Sequence, residues 1–339
     1  TLSHEMQLSP DGRQLAITSD FTPASLWDAA TGELQRILAD GEGATYGAGY
    51  SPDGTRLATV GQDDRIRIWD LANNEVGLSF LGESSGIVQA WEPGILDVAY
   101  SPDGSRLVTA GGNGVAKVWD AQTGEELLTL IRPSLGLYTP IGLTAGLYDV
   151  AYSPDGRLIA TAGADNEPVR LWNAETGEEM VVIELQGNLT WALAFSPDSS
   201  RLAIGTWEAG AQVWDTTTGE KIYSFDRAGH FVPDLAYTPD GQHIITAGSR
   251  GLKVWRAEDG EEVLTLTDDY IRWLAISPDG RTVYGLDSHE VVRGFTLQLE
   301  DTIALAHDRL TRWWRTEECL AYLHTETCPP APERFAANE

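Results

Sequence analysis

Cysteine is nearly absent from this 339-residue chain: two occur, Cys319 and Cys328, both near the end. That excludes a disulfide-built extracellular framework, and we expect a cytoplasmic setting. Basic residues are scarce as well. The 23 Lys and Arg face 51 Asp and Glu, for a formal net charge of −28. Such a surface repels phosphate backbones, and no Lys/Arg cluster offsets it, so neither nucleic acid nor an anionic membrane is an expected partner. No apolar run approaches the roughly 18 residues of a bilayer-spanning helix, and no basic-then-apolar leader opens the chain. The first residue is Thr1 rather than Met, which suggests a piece of something longer. Catalytic signatures are missing too: there is no Gly-x-x-x-x-Gly-Lys loop and no Gly-x-Ser-x-Gly elbow. The six histidines, His4, His230, His243, His289, His307 and His324, are dispersed. We expect no enzymatic activity and no cofactor. Cys319, His324 and Cys328 form a Cys-x4-His-x3-Cys run that offers three zinc ligands. A Cys319–Cys328 disulfide and two free thiols are the other readings, and we expect no metal.

Repetition fills the chain instead. A Ser-Pro-Asp-Gly-like tetrapeptide begins at Ser9, Ser51, Ser101, Ser153, Ser196, Thr238 and Ser277, at spacings of 42, 50, 52, 43, 42 and 39 residues. A fixed period of this size means an array of one supersecondary unit. Asp97 to Glu125 shows the unit. Val98 to Tyr100 form a short strand, and Ser101 to Gly104 turn it, with Pro pre-setting φ and Gly accepting φ > 0. Leu107 to Ala110, Val115 to Trp119 and Glu125 to Leu130 follow as strands separated by turns, which predicts a four-stranded antiparallel meander. Trp-Asp closes the third strand at Trp27, Trp69, Trp119 and Trp214. It drifts to Trp172-Asn173 and Trp255-Arg256, and Phe295 holds the place in the last copy.

On these residues the chain resembles the WD-repeat β-propellers over roughly residues 4 to 298. The resemblance implies an all-β, seven-bladed β-propeller spanning 1–298 and a recognition role for a protein or peptide partner. The Gly-His that commonly opens such repeats survives only at Gly229-His230, and the Asp between second and third strands only at Asp20, Asp64 and Asp165. The family's Ser/Thr-His-Asp-Trp hydrogen-bond network is therefore expected to be incomplete in every unit. The last copy supplies three strands, Trp273 to Ile276, Thr282 to Leu286 and Val291 to Leu297; we expect residues upstream of this chain to supply the fourth, the alternatives being that the C-terminal helices cap the edge or that this unit stays short. Beyond it, Ile303, Ala306 and Leu310 at helical spacing and the Thr316 cap with Glu317 and Glu318 predict a short α-helical C-terminal tail over 299–339. The tail resembles the C-terminal ends of bacterial multidomain WD-repeat signalling proteins, whose parents carry a STAND NTPase, regulator or kinase. That implies upstream domains in the same parent chain and a sensor or docking role in signalling or defence.

Candidate functional residues are those that break the repeat. The two long spacings come from the unit-joining segments Leu81 to Ile95 and Ile131 to Leu147. Both are apolar for loops, through Ile87, Val88 and Trp91 in the first and Leu135, Tyr138 and Ile141 in the second. They read either as a partner-binding patch or as a self-packed minor core. Trp191, Phe231, Arg272 and Trp273 are placed at the same end, as contacts for a partner or as packing between units. Four residues back from each tetrapeptide stand Glu5, Gly47, Asp97, Asp149, Ala192, Asp234 and Trp273. Glu5, Asp97, Asp149 and Asp234 would form an acidic collar at the channel mouth, favouring a Lys or Arg side chain or a cation; alternatively, each bonds backbone N–H groups of its own loop. The expected partner is basic and apolar.

Overall fold

The computed structural model describes residues 3–19, 22–39, 44–73, 75–82, 94–131, 146–163, 167–185, 189–225 and 228–297. The tail, with Cys319, His324 and Cys328, lies outside these residues, as do Asp20 and Asp165.

The described chain is all strand and turn. The first meander comprises β1 (Ser3–Leu8), β2 (Gln14–Ser19), β3 (Ala24–Asp28) and β4 (Leu34–Leu38). The second comprises β5 (Thr45–Tyr50), β6 (Arg56–Gly61), β7 (Arg65–Asp70) and β8 (Glu75–Leu81). A single Ser19–Thr45 pair joins these two into one sheet. Next come β9 (Ile95–Tyr100), β10 (Arg106–Gly111), β11 (Val115–Asp120) and β12 (Glu126–Ile131). They are followed by β13 (Leu147–Tyr152), β14 (Leu158–Gly163), β15 (Val169–Asn173) and β16 (Glu179–Ile183). Then come β17 (Thr190–Phe195), β18 (Arg201–Thr206), β19 (Ala211–Asp215) and β20 (Lys221–Phe225). The next sheet holds β21 (Asp234–Tyr237), β22 (His243–Gly248), β23 (Gly251–Arg256) and β24 (Glu262–Thr267). The last holds β25 (Ile271–Ile276), β26 (Thr282–Asp287) and β27 (Val292–Thr296), three strands among the described residues.

Local chemistry explains the strict spacing. In the Ser101 turn, the Gly104 N–H donates to the Ser101 carbonyl at 2.8 Å. The Ser101 hydroxyl donates to Asp103 at 2.6 Å and accepts the Arg106 N–H at 2.9 Å. Gly104 sits at φ +71°, where a side chain is strained. Ser199 occupies the same position at φ +63°, and its hydroxyl accepts the Asp155 N–H of the preceding meander at 3.1 Å. The Asp after each Trp has an equally local task. Asp120 accepts the N–H groups of Gln122 and Thr123 at 2.9 and 2.8 Å, closing the turn into β12. Arg256 replaces it by donating to Asp259 and Glu261.

What remains of the expected side-chain network is a Thr–Trp link. The indole N–H groups of Trp69, Trp119, Trp172 and Trp255 donate to Thr59, Thr109, Thr161 and Thr246 at 2.9 to 3.0 Å. Trp214 has no such acceptor, because Ile204 stands where the others have Thr, and its buried Nε1 is unpartnered.

The apolar cores lie between neighbouring meanders. Ala58, Val60, Ile66 and Ile68 pack on Ile95, Val98 and Leu107, for example. At ~1.5–3 kcal/mol for each fully buried Leu, Ile or Val, these junctions dominate stability. The series closes on itself: Met6 and Leu15 of the first meander share a core with Ala275 and Leu286 of the last. Gly12 meets Pro278 as Gly104 meets Pro52, so the same glycine-on-proline contact bridges the ends of the array.

Candidate functional site

β1, β5, β9, β13, β17, β21 and β25 pack side by side around a central channel of about 680 Å³. Glu5, Asp97, Asp149 and Asp234 all line it, so the repeat register does bring the four carboxyls together. Their hydrogen bonds are more specific than either expectation. Glu5 accepts the Ala48 N–H of β5 at 2.8 Å, and Asp97 accepts the Val150 N–H of β13 at 2.8 Å. Asp149 accepts the Leu193 N–H of β17 at 2.6 Å, and Asp234 accepts the Leu274 N–H of β25 at 2.7 Å. In every case the donor is one residue past the equivalent position on the next meander. The carboxyls thus bind the neighbouring unit rather than only their own loops, and act as inter-unit clasps. Gly47 has no side chain with which to make one, since a Cβ there would lie 2.8 Å from the Asp97 Cα. Asp97 fills that gap by also accepting its own Val98 N–H at 2.7 Å.

Burial raises the pKa of all four. Glu5 lies well above the ordinary carboxylate range, through loss of hydration and then the charge of Asp97. Asp149 is likewise well above, for the same two reasons in the same order. Loss of hydration raises Asp97, against the pull of the Val150 and Val98 N–H groups, and lifts Asp234 to about 7. With all four pKa values raised, the collar keeps its protons to higher pH than four free carboxylates would. Among the described residues, no group of three His, Cys, Asp or Glu side chains is arranged to hold a metal.

Beside the channel lies an arc of aromatic rings. Tyr148 on β13 stacks on Trp191 on β17, with centroids 5.3 Å apart and planes 11° apart. Trp191 meets Phe231 edge-on at 5.9 Å, Phe231 lies 4.5 Å from Trp207, and Tyr270 stacks on Phe231 at 6.4 Å. Trp207, in the turn after β18, is 48% exposed, an unusual state for Trp. Rings in such offset and edge-on pairs hold one another rigidly.

Of the expected contacts, Trp191 and Phe231 therefore belong to one surface. Arg272 sits near Tyr270, whose hydroxyl feels its charge. Trp273 lines the channel and packs on the core shared by the first and last meanders. Ile87, Val88, Trp91, Leu135, Tyr138 and Ile141 lie outside the described residues. The sequence reading missed Tyr148, Trp207 and Tyr270. Tyr148 had a signal, since it precedes Asp149 as Trp191 precedes Ala192. Trp207 had one too, as a large apolar residue in a turn that elsewhere reads Gly-Gln-Asp-Asp or Gly-Gly-Asn-Gly.

Comparison with known proteins agrees with this architecture. The family model described as WD domain, G-beta repeat matches residues 33–70, 82–120, 137–167 and 219–256. The chain is also similar to WD repeat-containing protein SL1-17 of Schistosoma mansoni, at 37% identity over 65 residues, 19% of this chain and 21% of that protein. The similarity thus spans about a fifth of that relative's length. With the curled antiparallel sheets, the matches support a WD-repeat β-propeller.

Proposed function

We propose that this chain is a non-catalytic recognition module, a seven-bladed propeller over 1–298 that binds a protein or peptide at the channel mouth. The observation that carries the reading is the aromatic arc centred on the exposed Trp207. Large rigid aromatic groups are the residues that dominate protein–protein contacts, and WD-repeat domains generally serve as interaction modules. A partner of apolar and basic character fits the arc and the net charge of −28. The wider setting we propose is a cytoplasmic bacterial multidomain protein of signalling or defence, with the propeller as its sensor or docking part. Its support is the resemblance of the 299–339 segment.

The test is capture of partners by the wild type and by a Trp207→Ala, Phe231→Ala variant. Met180→Ala serves as control, on an outer strand that is equally exposed. A partner lost from the arc variant and kept by the control supports the reading. A partner kept by both rejects the arc as the contact surface and leaves a scaffold without one dominant site.

A further inference from the structure

Six meanders share one rule at their outer edge. In each, the third-strand Trp pairs with the residue seven places on, as Trp119 does with Glu126, and the residue before the Trp pairs two places further, as Val118 does with Leu128. Two residues beyond that, an apolar side chain reaches the next meander. Leu38, Phe80, Leu130, Ile183 and Phe225 share cores with Trp69, Trp119, Trp172, Trp214 and Trp255, and Leu266 does so with Phe295. Phe80 and Phe225 lie against their Trp rings, with centroids 5.3 and 4.9 Å apart. Trp27 differs. It is partly buried, shares a core with Val292 of β27, and among the described residues meets no fourth-strand side chain. The edge of β27 matches this. The Leu297 N–H donates to the Arg281 carbonyl at 2.7 Å, so by alternation Val292, Gly294 and Thr296 turn their N–H groups away from β26, where no described strand lies.

The other six meanders define what this edge accepts: an extended segment with two large apolar residues two apart. The Lys117–Glu126, Arg170–Glu179 and Lys253–Glu262 pairs add an acid two residues before the first of them, and Arg293 stands at the matching basic position. Asp301-Thr302-Ile303-Ala304-Leu305 has this pattern, as Glu126-Leu127-Leu128-Thr129-Leu130 does. We propose that residues 301–305, which lie outside the described residues, are the fourth strand of the last meander, with Ile303 and Leu305 over Val292 and Trp27 and Asp301 near Arg293. The chain leaves β27 as it leaves β11: Leu297 and Ala121 donate back to Arg281 and Ser105 at 2.7 and 2.9 Å. The link from Phe295 to Asp301 is one residue shorter than that from Trp119 to Glu126 and carries no glycine. Connections of this length are common in hairpins. Glu318-Cys319-Leu320-Ala321-Tyr322 repeats the pattern farther on, but closing that longer loop costs more entropy. The array is then completed by this chain itself rather than by an upstream strand, and the edge is not offered to other chains.

The experiment is amide hydrogen exchange on the full chain, followed by NMR at Gly294 and at Val118, its counterpart on β11. The wild-type Gly294 amide is expected to exchange about as slowly as that of Val118. Ile303→Asp should speed it at least about tenfold and leave Val118 unchanged. Ala304→Asp, on the outward side of the proposed strand, and Leu320→Asp should both leave Gly294 slow. Leu305→Asp should also shift the Trp27 indole N–H resonance, assigned by its loss in Trp27→Phe. A fast Gly294 amide in the wild type overturns the proposal, because the edge is then open. Slow exchange in Ile303→Asp overturns it by giving the edge to another occupant, and acceleration by Leu320→Asp by giving it to the later segment. Equal acceleration by Ala304→Asp and Ile303→Asp rejects the alternating strand, and an unmoved Trp27 resonance rejects the contact across the ends of the array. If Ile303→Asp fails to fold, Ile303→Ala decides by the same amide.

Discussion

Asp97 accepts two backbone hydrogen bonds at once, from Val98 beside it in sequence and from Val150 on the adjoining meander, at 2.7 and 2.8 Å. One carboxyl thus completes β9 locally and ties it to β13. Asp97→Ala leaves two N–H groups without acceptors at a partly buried junction. At ~1–3 kcal/mol for an unsatisfied buried group, we expect a loss of about 2–4 kcal/mol, read from denaturant unfolding. Asp103→Ala, in the exposed turn of the same meander, should cost less. Equal costs would mean that the clasp adds nothing.

The unpaired indole of Trp214 gives a sharper comparison. Ile204→Thr places a hydroxyl where Thr109 stands beside Trp119, and Ile204→Val has the same shape without the hydroxyl. The Thr variant should be the more stable of the two by about 1 kcal/mol. The reverse substitution, Thr109→Val, should cost a similar amount or more. A Thr variant no more stable than the Val variant would contradict the role assigned to the link.

Stability should depend on pH with a definite sign. The folded protein binds protons on Glu5, Asp149 and Asp234 that the unfolded chain releases near pH 4. The stability from these groups is complete below that value and is lost as pH rises, through about 7 for Asp234. Turn residues such as Asp103 and Asp198 act oppositely: Ser hydroxyls and backbone N–H groups hold them below the ordinary range, so they cost stability only under strong acid. The melting temperature should therefore be highest in mild acid and decline towards pH 8. Asp234→Asn should flatten the part of that decline near neutrality.

Two glycines should respond very differently to alanine. Gly251 has φ +86°, and a Cβ there would lie 1.8 Å from the Thr267 carbonyl oxygen. Gly32 has φ +70° with open space around it. Gly32→Ala should cost about 1 kcal/mol from backbone strain alone. Gly251→Ala must also displace β24, and should lower the melting temperature severalfold more or prevent folding. Similar melting temperatures would show that the backbone contact is dispensable.

The sequence by itself determined the repeating unit. The Ser101, Asp103 and Asp120 bonds all span five residues or fewer, so their residue types reveal the turns, and the turns delimit the strands. The predicted strands of the Asp97 unit lie within or at the edge of β9 to β12 for that reason. Register also placed the four carboxyls on one channel, because equivalent positions of a repeat occupy equivalent places. Only the tertiary structure decided what those carboxyls bind. Whether the Asp149 acceptor faces its own loop or the Leu193 N–H depends on how closely β13 and β17 approach, and no local pattern encodes that distance. The arc is tertiary in the same sense. Tyr148, Trp191, Trp207, Phe231 and Tyr270 come from two strands and three loops, and only the curvature of the packed meanders brings their rings into contact.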